Sequence, residues 1–397
     1  MERSELLEVL SADGLRLLDA LPPYRSADDV LRTVSDLRKA GHSPALVAAV
    51  LTQAKLRAKA QSKFGPFADR MLFTEAGLEQ ATRLAVAARH AGRFASAGFG
   101  RIADLGCGIG GDAMAVAALD LEVTAVEADE VTAAIASYNL APFSNATVLH
   151  DRAENIDLRG IDGVFLDPAR RTAGHGQTSR ISDPDDYSPS LGFAFEIATG
   201  RSVGVKLGPG LDRDLIPSSA EAQWVSVDGQ LVEMGLWFGA LARPGIRRAA
   251  LLVTSDDAHE LTASQDSEDA DTGPLGEYLY EPDGAVIRAR LIGDLARALD
   301  ARMLSDGIAY LTGDTAVSTP FAVGFRVLET LPFQERDLKR ALRERGIGTL
   351  EIKKRGVDVD PAALRKRLSL SGTASATIVL TRVGGKHTAL LVERLAR

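Results

Sequence analysis

Apolar residues over residues 1–95 recur at helical spacing, as in Val30, Val34, Leu37 and then Leu46, Val47, Val50, Leu51, and predict an N-terminal helical region. From residue 96 the period shortens. Runs at 102–105, 122–127, 146–149, 163–166 and 202–206 have the length of strands and are separated by helical stretches, the pattern of an α/β sheet of parallel strands. The runs 223–227, 231–238 and 248–253 supply the remaining strands, the last pair closing as an antiparallel hairpin. Residues 256–273 gather Asp266, Glu268, Asp269 and Asp271 among small polar residues with almost nothing to bury, and read as an acidic linker. Beyond it, strand-like runs at 277–281, 308–311, 325–331, 350–352, 376–382 and 388–393 alternate with helical ones at 286–299, 335–345 and 361–368. The expected organisation is therefore a helical region at 1–95, an α/β domain at 96–255, a linker at 256–273 and a smaller α/β domain at 274–397.

Composition narrows the function classes. A chain of 397 residues, 45% hydrophobic and 25% charged, has enough apolar material for two or three cores. Its net charge of −8 argues against a surface that is basic throughout, so any RNA contact falls to a local patch. Two patches qualify. Residues 54–63 form a basic helical surface, either a solvated face or a phosphate contact beside the active site. In the last domain Arg336, Lys339, Arg340, Arg343, Arg345, then Lys353, Lys354, Arg355, then Arg365, Lys366, Arg367 are able to track an RNA backbone, with solvated surface charge as the plain alternative. The single cysteine, Cys107, excludes internal disulfides and cysteine-rich metal sites. No apolar run approaches the roughly 20 residues of a membrane-spanning helix, the start Met1-Glu2-Arg3-Ser4-Glu5 leads to no export core, and a cytoplasmic location is expected.

The chemistry concentrates after the first strand of the α/β domain, where Asp104-Leu105-Gly106-Cys107-Gly108-Ile109-Gly110-Gly111 breaks the chain into a glycine turn ahead of an alanine-rich helix. Glycines there allow sharp bends and close approach of a ligand to the backbone. Gly106, Gly108 and Gly111 satisfy G-x-G-x-x-G, which suits a dinucleotide as well as S-adenosylmethionine. Asp104 favours the second, because a carboxylate there attracts the ammonium of a methionine moiety and repels a pyrophosphate. Glu127, ending the next strand, suits a ribose diol in either cofactor.

Taken in order, Asp104 with the glycine turn, Glu127, Asp151 and Asp167-Pro168-Ala169-Arg170 resemble the class I S-adenosylmethionine-dependent methyltransferases. The resemblance implies a Rossmann-like sheet of seven strands. It assigns cofactor contacts to Asp104, Gly106, Gly108 and Gly110, the ribose hydroxyls to Glu127, the adenine amine to Asp151 and the reaction centre to Asp167 and Pro168. The whole chain is also similar to bacterial proteins described as class I methyltransferases with a THUMP-like C-terminal domain, through Lys63-Phe64-Gly65, Met71-Leu72-Phe73-Thr74, Tyr278-Leu279-Tyr280-Glu281-Pro282 and Glu351-Ile352-Lys353-Lys354-Arg355-Gly356. Residues 73–79 resemble the segment before the catalytic domain of trimethylguanosine synthases, an arm that helps to close the cofactor pocket.

Methyl transfer from a sulfonium is an in-line displacement that requires alignment and exclusion of water. Cys107 lies inside the glycine turn, away from the acceptor, which disfavours the covalent 5-methylpyrimidine route. An exocyclic amine suits Asp167 and the Pro168 carbonyl, which accept its N–H groups. Methyltransferases acting on such amines carry a second proline and an aromatic ring at this point; here stand Ala169 and Arg170, whose guanidinium can stack on a base, clamp a phosphate or form an ordinary salt bridge. The loop 172–189 offers two rings, Tyr187 as a base-stacking or packing residue and His175 as an incidental one. Lys206, ending a strand at the active edge of the sheet, reads either as a contact to a phosphate or a carboxylate partner or, more simply, as a solubilising residue. The expectation is an S-adenosylmethionine-dependent methyltransferase that acts on a base nitrogen of tRNA or rRNA. The competing readings are an RNA-binding protein that keeps the fold without turnover, a methyltransferase of non-RNA substrates, and a nicotinamide oxidoreductase, which leaves Asp104 and Asp167-Pro168 without a role.

Overall fold

The computed structural model describes residues 1–21, 27–170 and 187–395, residues 27–29 and 169–170 by backbone alone. The chain condenses into two compact units. One comprises Met1–Leu207, Leu211–Ala220 and Leu236–Ala242; the other comprises Gly208–Gly210, Glu221–Gly235 and Arg243–Arg397.

The first unit opens with helices α1 (Arg3–Leu10), α2 (Ala12–Ala20), α3 (Ala27–Lys39), α4 (Pro44–Phe64), α5 (Glu75–Gln80) and α6 (Leu84–Ser96). Local chemistry sets the start of α4: Ser43 accepts the Leu46 N–H at 3.1 Å, and Pro44 fills a first position where no N–H is needed. Its apolar stripe, which includes Leu46, Val50, Leu56 and Phe64, is buried. Strands β1 (Arg101–Leu105), β2 (Glu122–Glu127), β3 (Ala146–His150), β4 (Gly163–Leu166), the short pair β5 (Ala169–Arg170) and β6 (Tyr187–Ser188), and β7 (Ser202–Leu207) follow, with α7 (Gly111–Ala117), α8 (Glu130–Leu140) and α9 (Leu191–Ala198) between them. β7, β4, β1, β2 and β3 lie in that order, all parallel. β4 is buried along its whole length and β1 from Ile102 onward, as strands covered on both faces must be. The order turns between β1 and β4, so the crevice at their carboxyl ends is where such a sheet takes a ligand.

The second unit holds β8 (Glu221–Val227), the first six residues of β9 (Gln230–Trp237), β10 (Arg248–Val253) and β11 (Ala258–Ala263). The eight runs read as strands between 102 and 253 are β1 to β4 and β7 to β10, one more than the seven that the resemblance implies, and β11 follows them. The antiparallel hairpin falls elsewhere than expected. Asp228 and Gly229, both at positive φ (50° and 76°), form the two-residue turn between β8 and β9, while β10 runs parallel to β8. β11 pairs antiparallel with β10, so part of the segment read as a linker is a strand. Its acid has a partner: Glu260 and the fully buried Glu221 both bind the Arg243 guanidinium.

β12 (Tyr278–Pro282), α10 (Gly284–Arg288), α11 (Ile292–Ala298), β13 (Arg302–Ser305), β14 (Ile308–Gly313), β15 (Ala322–Leu331), α12 (Glu335–Glu344), β16 (Ile347–Lys354), α13 (Pro361–Leu368), β17 (Ala374–Val383) and β18 (Lys386–Arg394) complete the second unit. Their sheet has the order β13-β14-β12-β15-β18-β17-β16. Leu338, Leu342, Leu364 and Leu368 from α12 and α13 share a core with Leu350, Ile352 and Ile378 from the strands. Many of the basic residues singled out in the sequence have internal partners. Lys353 pairs with Glu281 at 2.6 Å, Arg355 donates to the Ala309 carbonyl at 2.9 Å, and Arg365 donates to the Leu350 carbonyl at 2.9 Å. Arg336, Lys354 and Lys366 are exposed, with no side-chain hydrogen bond or ion pair among the described residues. No described helix is long and apolar enough to cross a membrane.

Candidate active site

The glycine turn is tied to its neighbouring strands by its own backbone. Gly106 and Cys107 both donate to the Val126 carbonyl at 2.9 Å, and Gly108 donates to Glu127 Oε2 at 3.0 Å. Gly106, at φ 87°, is tight as well as left-handed: a Cβ there would lie 3.2 Å from the Asp167 carbonyl oxygen. The turn after β1 and the turn after β4 therefore abut. The second oxygen of Glu127 accepts the Asp129 N–H at 2.9 Å. Burial pushes the Glu127 carboxyl above its usual range, against the pull of these backbone hydrogen bonds. Asp151, fully exposed, is held below the usual range by hydrogen bonds from the Asn155 amide and the Arg152 N–H, each at 2.7 Å.

A cavity of about 250 Å³ opens here, and Gly106, Gly108, Glu127, Asp151 and Asp167 all line it. Among the other residues expected at the site, Asp104, Gly110 and Pro168 are not part of the wall. Gly110 instead caps α7 in a left-handed conformation, against Leu140. Arg170 has only its backbone described, and Arg171 and His175 lie outside the described residues. Tyr187 is only 4% exposed, so its ring is a packing residue rather than an open platform for a base.

Thr74, Ala76, Gly77 and Thr82 bring the N-terminal helices into the same wall. The segment leading there, Met71-Leu72-Phe73, is gripped by buried side chains. Gln53 exchanges two hydrogen bonds with the Phe73 backbone at 2.8 and 3.0 Å, and Arg57 Nε donates to the Met71 carbonyl at 2.9 Å. Asn139 of α8 accepts the Leu72 N–H at 2.8 Å and donates to the Leu72 and Ile109 carbonyls at 3.0 and 2.9 Å. Lys63 Nζ reaches the carbonyls of Leu78, Glu79 and Ala81 at 2.7–2.8 Å. Burial, helped by Arg83 and Lys206, lowers its pKa to about 8. Arg57 and Lys63 are thus spent inside the fold, which corrects the reading of the basic run as a uniformly solvated or phosphate-binding face.

A polar cluster runs inward from Thr82, Asp112 and Asp167 of the wall. Asp104 is 1% exposed and, among the described residues, neither carboxylate oxygen has a hydrogen-bond partner. Burial, then the nearby carboxylates of Asp112 and Asp167, push it well above the usual range, with Lys206 opposing. Asp112 of α7 is also buried, yet hydrogen bonds from His90 Nδ1 at 2.8 Å and Thr82 Oγ1 at 2.7 Å hold it below the usual range. Lys206 donates to Thr82 Oγ1 at 3.0 Å, to the Gln80 carbonyl at 3.3 Å and to Asp167 Oδ2. At 9% exposed it is no solubilising residue. Sequence reading misses Thr82, His90 and Asp112, whose partners are distant in the chain, and offers a carboxylate partner for Lys206 only as the less simple of two readings. The one local signal is a lysine at the carboxyl end of a strand otherwise apolar enough to be buried.

Comparison with known proteins adds family and fold. A family described as THUMP domain-like matches residues 322–394, and a domain of unknown function matches residues 2–60. Two proteins of Mycobacterium tuberculosis, from strains CDC 1551 and H37Rv, each named an uncharacterized S-adenosylmethionine-dependent methyltransferase, are 35% identical over 344 residues, 83% of this chain and 91% of theirs. A crystal structure from Porphyromonas gingivalis W83, named as a candidate methyltransferase, aligns over 100% of both chains with a TM-score of 0.71 at 20% identity, a likeness of fold.

Proposed function

For a chain that belongs to the S-adenosylmethionine-dependent methyltransferases, we propose methyl transfer to a nitrogen of a base in structured RNA, tRNA or rRNA, in the cytoplasm. The observation that carries the reading is the abutment of the two turns: Gly106 and Asp167 line one cavity, and a Cβ on Gly106 would meet the Asp167 carbonyl at 3.2 Å. The site's charges suit the cofactor. Asp112, Asp167, Glu127 and Lys206 surround Asp104, with more acids than cations, and among the described residues the Asp104 carboxyl has no hydrogen-bond partner. A ligand with an ammonium and a sulfonium answers both.

S-adenosylmethionine held there would supply an electrophilic methyl for the nitrogen, its sulfur keeping the electron pair of the bond given up. Asp104 would neutralise the ammonium, Glu127 would receive the ribose hydroxyls and Asp151 the adenine amine. Asp167 and the Pro168 carbonyl accept the N–H groups of the amine and aim its lone pair, and the nitrogen's surplus proton leaves by the solvent side of Asp167, whose side chain is 29% exposed. The arm carrying Thr74 and Gly77 keeps water from the methyl. The THUMP domain-like match at residues 322–394 supports RNA as the partner, with Arg336, Lys354 and Lys366 as contacts to phosphate.

The test is mass spectrometry of nucleosides from tRNA and rRNA of a strain lacking the gene. One methylated nucleoside should be missing, and the purified protein with S-adenosylmethionine should restore it. Identical nucleoside profiles together with no transfer to the RNA would overturn the reading.

A further inference from the structure

We propose that Lys206 is a positioning residue for methyl transfer, fixing the Asp167 carboxylate at the cavity wall by binding it together with Thr82 and the Gln80 carbonyl. This rests on the reading of Asp167 as the group that orients the acceptor amine. An ammonium has three protons, and among the described residues Lys206 donates to three acceptors. The direction of each bond is determined. Asp112 Oδ2, held ionised, accepts the single proton of Thr82, so Thr82 turns a lone pair to Lys206. Asp112 Oδ1 in turn meets Nδ1 of His90, and the His90 ring packs 5.1 Å from that of Phe165, two residues before Asp167 on the same strand. The chain of contacts leaves the cavity wall, crosses the buried interior and returns to the base of the strand that carries Asp167. Thr82, His90, Asp112 and Lys206 are each under 10% exposed, so the network has little freedom to rearrange.

A neutral residue at 206 would not serve. Asp112, Asp167, Lys206 and Glu127 all act on the buried Asp104, so among the described residues Asp167 shares its surroundings with Asp104 of β1, Asp112 of α7, Glu127 of β2 and the Lys206 cation of β7. Three of these are carboxylates, so without the Lys206 cation Asp167 takes up a proton more readily and no longer offers a charged acceptor to an amine N–H. Lys206 also joins Asp167 to Gln80 and Thr82, which follow the arm in the wall, so one ammonium sets the acceptor side and the closing side together.

The experiment compares the parent with Lys206→Met, Asp167→Asn and the double variant, following transfer of tritiated methyl from S-adenosylmethionine to RNA from the deletion strain. Calorimetry with S-adenosylhomocysteine runs in parallel. Lys206→Met should lower kcat by about 10²-fold with cofactor affinity within a few-fold, and should move the acid limb of kcat to higher pH. The double variant should be no slower than the slower single one, because both remove one unit. Lys206→Arg keeps the cation and should keep the parent's acid limb. Full turnover with an unmoved acid limb in Lys206→Met, or penalties that multiply in the double variant, would overturn the proposal. Should the parent transfer nothing to RNA, the functional reading fails and Lys206 is judged without substrate: ¹³C NMR titration of the Asp167 carboxyl, assigned by its loss in Asp167→Asn, should show a higher midpoint in Lys206→Met. An unchanged midpoint there rejects the positioning role.

Discussion

Gly108 donates its backbone N–H to Oε2 of Glu127 at 3.0 Å, so the acid that ends one strand holds the turn that ends its neighbour. Glu127 thereby shapes the turn and lines the cavity with the same carboxylate. Glu127→Gln keeps one acceptor and gives up the charge. It should weaken S-adenosylhomocysteine about tenfold, about 1.4 kcal/mol, and lower stability by about 1 kcal/mol through the missing backbone hydrogen bond. Calorimetry and thermal melting separate the two effects; unchanged affinity would remove Glu127 from the ribose contact.

Asp104 predicts opposite signs for stability and binding. Its carboxyl sits well above 3.8 in the fold, so the folded state retains a proton that the unfolded chain has given up. Its favourable contribution is complete below about pH 3.8 and is lost as pH rises through the folded value. Asp104→Asn should therefore raise the melting temperature of the ligand-free protein at pH 7 and flatten its decline from acid to neutral pH. The same variant should lose most of the thermal shift that S-adenosylmethionine gives the parent. Melting curves across pH with and without cofactor test this, and a destabilised variant at pH 7 contradicts it.

Asn139 satisfies three backbone groups from two segments, Leu72 and Ile109. Asn139→Ala leaves them buried without partners and should cost about 3 kcal/mol or more. Because Ile109 and the arm after Leu72 both border the cavity, affinity for S-adenosylhomocysteine should fall as well. Urea unfolding and calorimetry give the two readings; a variant with parental affinity would show that the arm's hold does not shape the site.

In the second unit, exposure divides the basic residues by task. Charge reversal at Arg336, Lys354 and Lys366 should weaken RNA binding and reduce its salt slope by about one unit for each phosphate that is no longer neutralised. Lys353→Glu sets a carboxylate against Glu281 and should instead lower the melting temperature. Filter binding over a salt series checks the first outcome and calorimetric melting the second.

The glycine turn, Glu127 and Asp167 are legible in the sequence because their chemistry is local: glycines at a strand end, and acids where parallel strands stop. Lys206 is far less so, since its partners lie 39 and more than 120 residues away, and the apolar strand it ends is the one local sign of its burial. His90 and Asp112 are hidden in the same way. Asp228-Gly229 is a strong two-residue turn signal and marks the true hairpin, whereas the apolar runs alone place it one strand later. The strand β11 is obscured by its setting, a few alternating residues between acidic stretches, and Arg243 and Gln223, both distant in the chain, explain its Glu260.

The grip of Gln53, Arg57 and Asn139 on the arm has a kinetic side. Thr74 and Gly77 belong to the wall, so the spent cofactor leaves either past this segment or after it loosens, and loosening it breaks several buried hydrogen bonds at once. Departure of S-adenosylhomocysteine then becomes the slow step. A single turnover would run ahead of the steady state, rapid mixing would reveal a burst close to one methyl per protein, and added S-adenosylhomocysteine would dissociate slowly enough to be followed by dilution.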